Sequence, residues 1–282
     1  MHRSRFSRAS MAAERFVRGY VQREAQLGAA ILTHPVLARS TQALDFEFGD
    51  SVEIRTFDAA PRTAEAAALV GLVTRPRGLL LARGSLETFV IFFKPAAIHQ
   101  LFGLPLVEIT NRDHAARAAL GVAASELQQR LGNATSFEQR VRIADRFIVS
   151  QSQRASAVDS IERAANEIVR RQGACRMDAL AIYTGLSTRN FQRTFRQRIG
   201  VSPKLYARIV RFETSLKTKA ALPHLSWTAI AHQFGYHDQM HLIHDFRELS
   251  GQTPTDILRD AQPVLTPQLD SVAPHETDAL FL

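Results

Sequence analysis

Ala181-Ile182-Tyr183-Thr184-Gly185-Leu186 and, fifty residues further on, Ala231-His232-Gln233-Phe234-Gly235-Tyr236 carry one pattern: a small Ala, then Gly four positions later. The Ala lets a second helix cross closely, and the Gly supplies a left-handed turn between two helices, so each copy predicts a helix-turn-helix unit. The punctuation that follows repeats as well. Phe195 corresponds to Phe246, Gly200 to Gly251, and Ser202-Pro203 to Thr253-Pro254. Each hydroxyl-proline pair places a capping oxygen before a residue preset for the first helical turn.

Working outward, the second helix of the first unit is predicted over about Thr188 to Arg198, with Phe191, Phe195 and Ile199 as a core stripe. The other face carries Arg189, Gln192, Arg193 and Arg196. Arg can donate twice to a guanine edge and Gln can recognise adenine in the major groove, while further Arg side chains neutralise phosphates. In the second unit the matching helix spans about Asp238 to Leu249 with Leu242, Phe246 and Leu249 inward, leaving Gln239, Met240, Ile243, His244 and Arg247 on the surface. Between the units, Pro203 to about Ala221 reads as one helix on the order of 27 Å long at 1.5 Å per residue. Successive major grooves on one DNA face lie roughly 34 Å apart, so such a connector suits two adjacent grooves if the duplex bends modestly.

Charge supports a polyanionic partner. The chain of 282 residues has a formal charge of +8, which matters only where it is clustered. From Arg189 to Lys219 stand Arg189, Arg193, Arg196, Arg198, Lys204, Arg208, Arg211, Lys217 and Lys219, opposed within that stretch only by Glu213. A second basic group, Arg3, Arg5, Arg8, Arg15 and Arg18, is read as part of a basic N-terminal segment over 1–40. Cys175 is the single cysteine, which excludes an intramolecular disulfide and multi-cysteine metal sites and fits a reducing compartment. No apolar run reaches the roughly 18 residues of a membrane span, so no membrane partner is expected and the protein is read as cytoplasmic and associated with the nucleoid.

The first half has a different texture. Leu44–Phe48, Val52–Phe57, Leu69–Val73, Leu79–Ala82 and Phe89–Phe93 read as short strands. Gly49-Asp50, Pro76-Arg77-Gly78 and Arg83-Gly84-Ser85 are expected hairpin connections, which predicts a small antiparallel barrel. Phe46, Phe48, Phe57, Phe89, Phe92 and Phe93 are assigned to packing, with an effector cavity as the alternative use of some of them. Helices follow, with Ser125-x-x-Gln128 and Thr135-x-x-Glu138 as expected capping boxes. The fold class is therefore α+β in two domains: a β-rich domain with a helical end over 41–150, a linker over 151–158, an all-α domain over 159–260 starting with Asp159-x-x-Glu162, and a flexible tail over 261–282 rich in Pro and acid.

The segment Leu180-Ala181-x3-Gly185-Leu186-Ser187-x3-Phe191-Gln192-Arg193-x-Phe195-x4-Gly200-Val201-Ser202-Pro203, followed by Ile230-Ala231-x3-Gly235-Tyr236-x-Asp238-Gln239-x-His241-x4-Phe246-Arg247-x3-Gly251-x-Thr253-Pro254, resembles the DNA-binding domain of AraC/XylS-type transcriptional regulators. That resemblance implies seven helices, operator binding near promoters and a cupin-like sensing or dimerising barrel in the N-terminal half. It places Arg189, Gln192 and Arg193 in the first reader and Gln239, Ile243 and His244 in the second. Double-stranded DNA is the implied partner, joined by a small-molecule effector, a second copy of the chain and, for an activator, RNA polymerase. Met240, Leu242 and His244 depart from the family's usual Ser, Phe and Arg, so the contacts of the second reader differ from the family pattern.

The competing class is an enzyme or metal-binding barrel with an attached DNA-binding module. His237, His241 and His244 fall at i, i+4 and i+7, a spacing that suits zinc, but no Cys or HExxH arrangement accompanies them. Asp45, Glu47, Asp50 and Glu53, with His99 and His114, make no nucleophile-base-acid spacing and read as solvent-facing acids and isolated histidines. The expectation is a regulator with no catalytic residue, no metal site and no cofactor.

Overall fold

The computed structural model describes residues 2–153, 155 and 157–259. Its N-terminal half contains β1 (His2–Ser7), β2 (Val17–Val36), β3 (Ala43–Glu47), β4 (Glu53–Thr56), β5 (Arg62–Thr63), β6 (Ala67–Val70), β7 (Gly78–Phe93) and β8 (Asp113–Ala115). Helices α1 (Ala97–Phe102), α2 (Leu106–Ile109), α3 (Ala116–Leu120), α4 (Val122–Gly132) and α5 (Phe137–Ser152) complete it. The second half is helical: α6 (Ser160–Arg170), α7 (Met177–Thr184), α8 (Thr188–Ile199), α9 (Pro203–Ala221), α10 (Trp227–Gln233) and α11 (Gln239–Ser250). A last helical stretch occupies 254–259. The proposed tail over 261–282 lies outside the described residues.

The sheet is antiparallel, with path β1-β2-β7-β3-β6-β8 and β4 paired to both β7 and β5. It does not close into the expected barrel. Strand β7 is continuous where two strands and a hairpin at Arg83-Gly84-Ser85 were expected. Gly28 and Gly84 oppose one another across β2 and β7, each at positive φ (55° and 66°), and the pairing register shifts there. Only a residue without Cβ takes that conformation cheaply, so the long ribbon bends instead of turning. The bent end packs Val52, Leu32, Leu80 and Ala82 onto Ala25 and Leu86. Gly49-Asp50 and Pro76-Arg77-Gly78 also fail to form hairpins, because β3 pairs with β6 and β7, and β4 with β5 and β7. The basic segment over 1–40 supplies β1 and the longest strand, β2, with Arg15 and Arg18 bonded to Glu162 and Thr41.

The opposite face of the sheet carries Tyr20, Leu44, Phe46, Leu69, Phe89 and Ile91, buried against Leu127, Leu131, Ala144 and Phe147 of α4 and α5. The α4 and α5 caps differ from expectation. Ser125 lies inside α4, and α5 is capped by Ser136, which accepts from the Gln139 N–H at 3.2 Å. Phe57 is 76 % exposed and packs nothing, since it follows β4 at the open end of the ribbon. A second core joins Ile168, Phe195, Tyr206, Phe212, Ile230 and Phe246 of the helical half with Ala38 and Leu72 of the N-terminal half, so the two halves share apolar packing.

Candidate nucleic-acid interface

In the first unit, α7 ends at Gly185 (φ 70°), and Ser187 caps α8 by accepting from the Asn190 N–H at 3.4 Å. Phe191, Phe195 and Ile199 are buried, with Phe195 meeting Tyr206 edge-on at 5.8 Å. That fixes the rotation of α8 and turns Arg189, Gln192, Arg193 and Arg196 outward, all exposed. They share an open groove of about 440 Å³ with Gln197, Ser202 and Val107, the last contributed by α2 of the N-terminal half. Three guanidinium groups at i, i+4 and i+7 on one rim of a groove, with the exposed Gln192 amide among them, can bind a polyanion such as a phosphate backbone.

The second unit has the same frame. Gly235 takes φ 70°, and Asp238 caps α11 by accepting from the His241 N–H at 2.7 Å. That bond, with His237 beside it, holds the Asp238 carboxyl below the usual carboxylate range. Leu242, Phe246 and Leu249 are fully buried, and Phe246 meets Phe212 and Trp227 edge-on at 4.8 and 5.3 Å. Gln239 is exposed and accepts from the Thr228 hydroxyl at 2.8 Å. Met240 is 67 % exposed, Ile243 is half-buried, Arg247 is exposed, and exposed His244 stands 3.7 Å from Glu248. Of the histidines at helical spacing, His237 pairs with Asp238 at 3.1 Å and His241 packs edge-on against Tyr236.

The basic cluster divides into two populations. Arg198 is bonded to Asp159, the cap of α6. Arg208 reaches Asp245 at 2.7 Å and Glu248 at 2.6 Å, and Arg211 lies 3.6 Å from Asp245 while stacking on the Tyr236 ring at 4.4 Å. Lys219 donates to the carbonyls of Pro223 and Leu225 at 2.7 and 2.5 Å. Arg198 thus holds α8 to the start of α6, while Arg208, Arg211 and Lys219 hold α9 to α11 and to the segment before α10. The acids that meet Arg198, Arg208 and Arg211 are Asp159, Asp245 and Glu248, all outside 189–219 in sequence. Arg189, Arg193 and Arg196 make no ion pair among the described residues and remain available to a partner.

Glu213 does not oppose the basic cluster at all. It is buried on α9, accepting from the Ser40 N–H at 3.1 Å and the Ser40 hydroxyl at 2.5 Å. Glu162, read with Asp159 as part of the start of the helical domain, is likewise turned to the N-terminal half, where Arg15 and Gln100 donate to it at 3.1 and 2.6 Å. Asp159 caps α6 alone, accepting from Ile161 and Glu162.

The N-terminal half holds a polar layer that the sequence reading placed in solvent. Arg23, Thr88 and Glu47 stand in one cross-strand row of β2, β7 and β3, with Asp45 one pair further along. His34 and Thr56 share the inward-facing parity of Leu32 and Leu80 on the bent ribbon. Burial and the charge of Asp45 raise the Glu47 carboxyl to about 8, and burial with the charges of Arg23 and Arg39 lowers His34 to about 4. Thr56 Oγ1, Thr88 Oγ1, Asp45 Oδ1 and Glu47 Oε2 are buried without a hydrogen-bond partner among the described residues. The period-2 signal for this layer was present in Asp45 and Glu47, each separated from Ala43 by even steps.

Residues 180–260 match a helix-turn-helix domain family, and residues 8–115 match a domain of unknown function (DUF6597). No curated protein matches the chain. Among solved structures, ToxT from Vibrio cholerae is similar at 10 % identity, with 85 % of this chain and 97 % of that chain covered and a TM-score of 0.47. The unsaturated fatty acid-bound form of wild-type ToxT from Vibrio cholerae is similar at 11 % identity, with 85 % and 94 % covered and a TM-score of 0.47. Among the described residues no helix is long and apolar enough to cross a membrane.

Proposed function

We propose, from the premise that this chain carries an AraC-type helix-turn-helix domain in its last third, that it regulates transcription by reading two adjacent major grooves with α8 and α11. The observation that carries this reading is the exposed stripe of Arg189, Gln192, Arg193 and Arg196 on a helix whose other face is locked into the core. The first reader supplies the electrostatic grip, because α11 offers Arg247 and His244 beside the acid Glu248. Gln192 and Gln239 contact bases, Ile243 and Met240 offer apolar surface to thymine methyls, and Arg196 and Arg247 engage phosphates.

The polar layer of Asp45, Glu47 and Thr88 supports a small polar effector that exchanges hydrogen bonds with it. A second copy of the chain and, for an activator, RNA polymerase are the macromolecular partners such a regulator engages. The test is selection of duplexes from a random library by the full chain, followed by affinity against salt. Enrichment of a bipartite site with steep salt dependence is expected; equal affinity for all duplexes overturns the reading.

A further inference from the structure

Within the six-residue link between β2 and β3, the strap Ala38 to Gln42 reaches both reading helices, α8 and α11, and the connector α9. The Ala38 N–H donates to Leu249 O of α11 at 2.9 Å. Ser40 donates twice to Glu213 of α9. The Gln42 side chain donates to Ile199 O, the last carbonyl of α8, at 3.3 Å. The residues between face the other way: Arg39 exchanges backbone bonds with Val73 at 2.8 and 3.0 Å, and Thr41 accepts from Arg18 at 3.2 Å. Ala38, Ser40, Thr41 and Gln42 are all buried. One short strap therefore ties both reading helices and their connector to the sheet, by alternate residues.

The readers need such a tie. Helix α8 leaves for α9 through Gly200-Val201-Ser202, with Gly200 at φ 104°, and α9 leaves for α10 through Leu222–Ser226. With the turn from Phe234 to Asp238 between α10 and α11, these are the joints at which the angle between readers can change. The strap spans all of them, bonding α8 and α9 directly and α11 beyond α10.

We propose that Ser40 and Gln42 are positioning residues for DNA reading: by holding α9 and α8 to the strap whose Ala38 backbone binds α11, they fix the distance and angle between the two readers, and so set the spacing of the bipartite site the protein accepts. The inference rests on the two-groove reading above. A fixed pair of readers rejects a site lengthened by one base pair, because the second groove is then displaced by roughly 3.4 Å and rotated by about 35°. A loosened pair follows it.

The experiment uses the full chain and the duplex it selects from a random library, compared with the same duplex carrying one inserted base pair between the contacted grooves. The wild type is expected to lose roughly 30-fold or more on insertion. The Ser40→Ala/Gln42→Ala protein is expected to lose less than about 5-fold, while binding the uninserted duplex within about 3-fold of wild type. Ser40→Thr, which keeps the hydroxyl, is expected to discriminate as the wild type does. If the double variant melts well below wild type, Gln42→Ala alone is the deciding protein, with a penalty of about 10-fold expected. Equal spacing penalties in wild type and variants overturn the proposal. Failure of the wild type to enrich any duplex overturns the reading beneath it, a result distinguishable because no selected site then exists.

Discussion

Thr110 of the N-terminal half occupies the space that a side chain on Gly200 would need. A Cβ built on Gly200 falls 2.4 Å from Thr110 Oγ1 and 3.0 Å from Leu106 O, and the Thr110 hydroxyl lies 3.2 Å from Gly200 O as its donor. Gly200 is also the left-handed residue that ends the first reader. The position that stops α8 is thus the position at which α2 docks.

Gly200→Ala combines unfavourable φ with a contact to another domain. A loss of more than about 2 kcal/mol is expected, read as a lowered midpoint in urea. The companion Thr110→Ser keeps the bond and removes only a methyl, so its midpoint is expected within about 0.5 kcal/mol of wild type.

Arg193→Ala is expected to weaken duplex binding by roughly 10- to 100-fold at moderate salt and to lower the slope of log affinity against log salt by about 1. The side chain is exposed and unpaired among the described residues, so the melting temperature is expected to stay within about 1 °C. An unchanged affinity defeats the assignment of α8 as the gripping reader.

Gln192→Ala separates reading from grip. Affinity for the selected site is expected to fall by about 1–3 kcal/mol while affinity for random duplex stays level. Equal losses on both duplexes make Gln192 a phosphate-side positioning group instead.

Glu47 makes stability depend on pH. Its carboxyl is raised from 4.5 to about 8, by burial first and by Asp45 second. The folded chain therefore holds a proton that the unfolded chain has released, and stability from this group is full below about 4.5 and lost as pH rises through 8. His34 works in the other direction: lowered to about 4 from 6.5 by burial, it takes stability away as pH falls through 6.5 toward 4. Glu47→Gln is expected to melt roughly 2–6 °C above wild type at pH 8, with the gap closing by pH 4.5. An equal gap at both values assigns the effect to packing.

The helical half was legible almost residue by residue. Its bounds follow from local chemistry: Ser187 and Ser202 cap the helices read to begin after them, Asp238 caps the helix read to begin at about that residue, and Pro203–Ala221 is a single helix. Local signals failed where a side chain's partner is distant in sequence. Glu162 follows Asp159 at capping-box spacing yet bonds to Arg15 and Gln100, because a buried carboxylate gains more from a guanidinium than from its own helix end. The strands of 1–36 were missed for a related reason: their Arg-rich pattern resembles a solvated tail until β7 and the charged interior supply partners.

The sequence by itself determined the two helix-turn-helix units, their apolar stripes and the outward face of the first reader, because capping, turn conformation and a 3.6-residue period act within about a dozen residues. Tertiary structure alone decided which cations are left for a partner, that the sheet bends at Gly28 and Gly84 and stays open, and that Ala38–Gln42 ties the readers together. Each of those rests on pairings between residues tens of positions apart. Burial and electrostatics choose such partners only once the chain has brought them into contact.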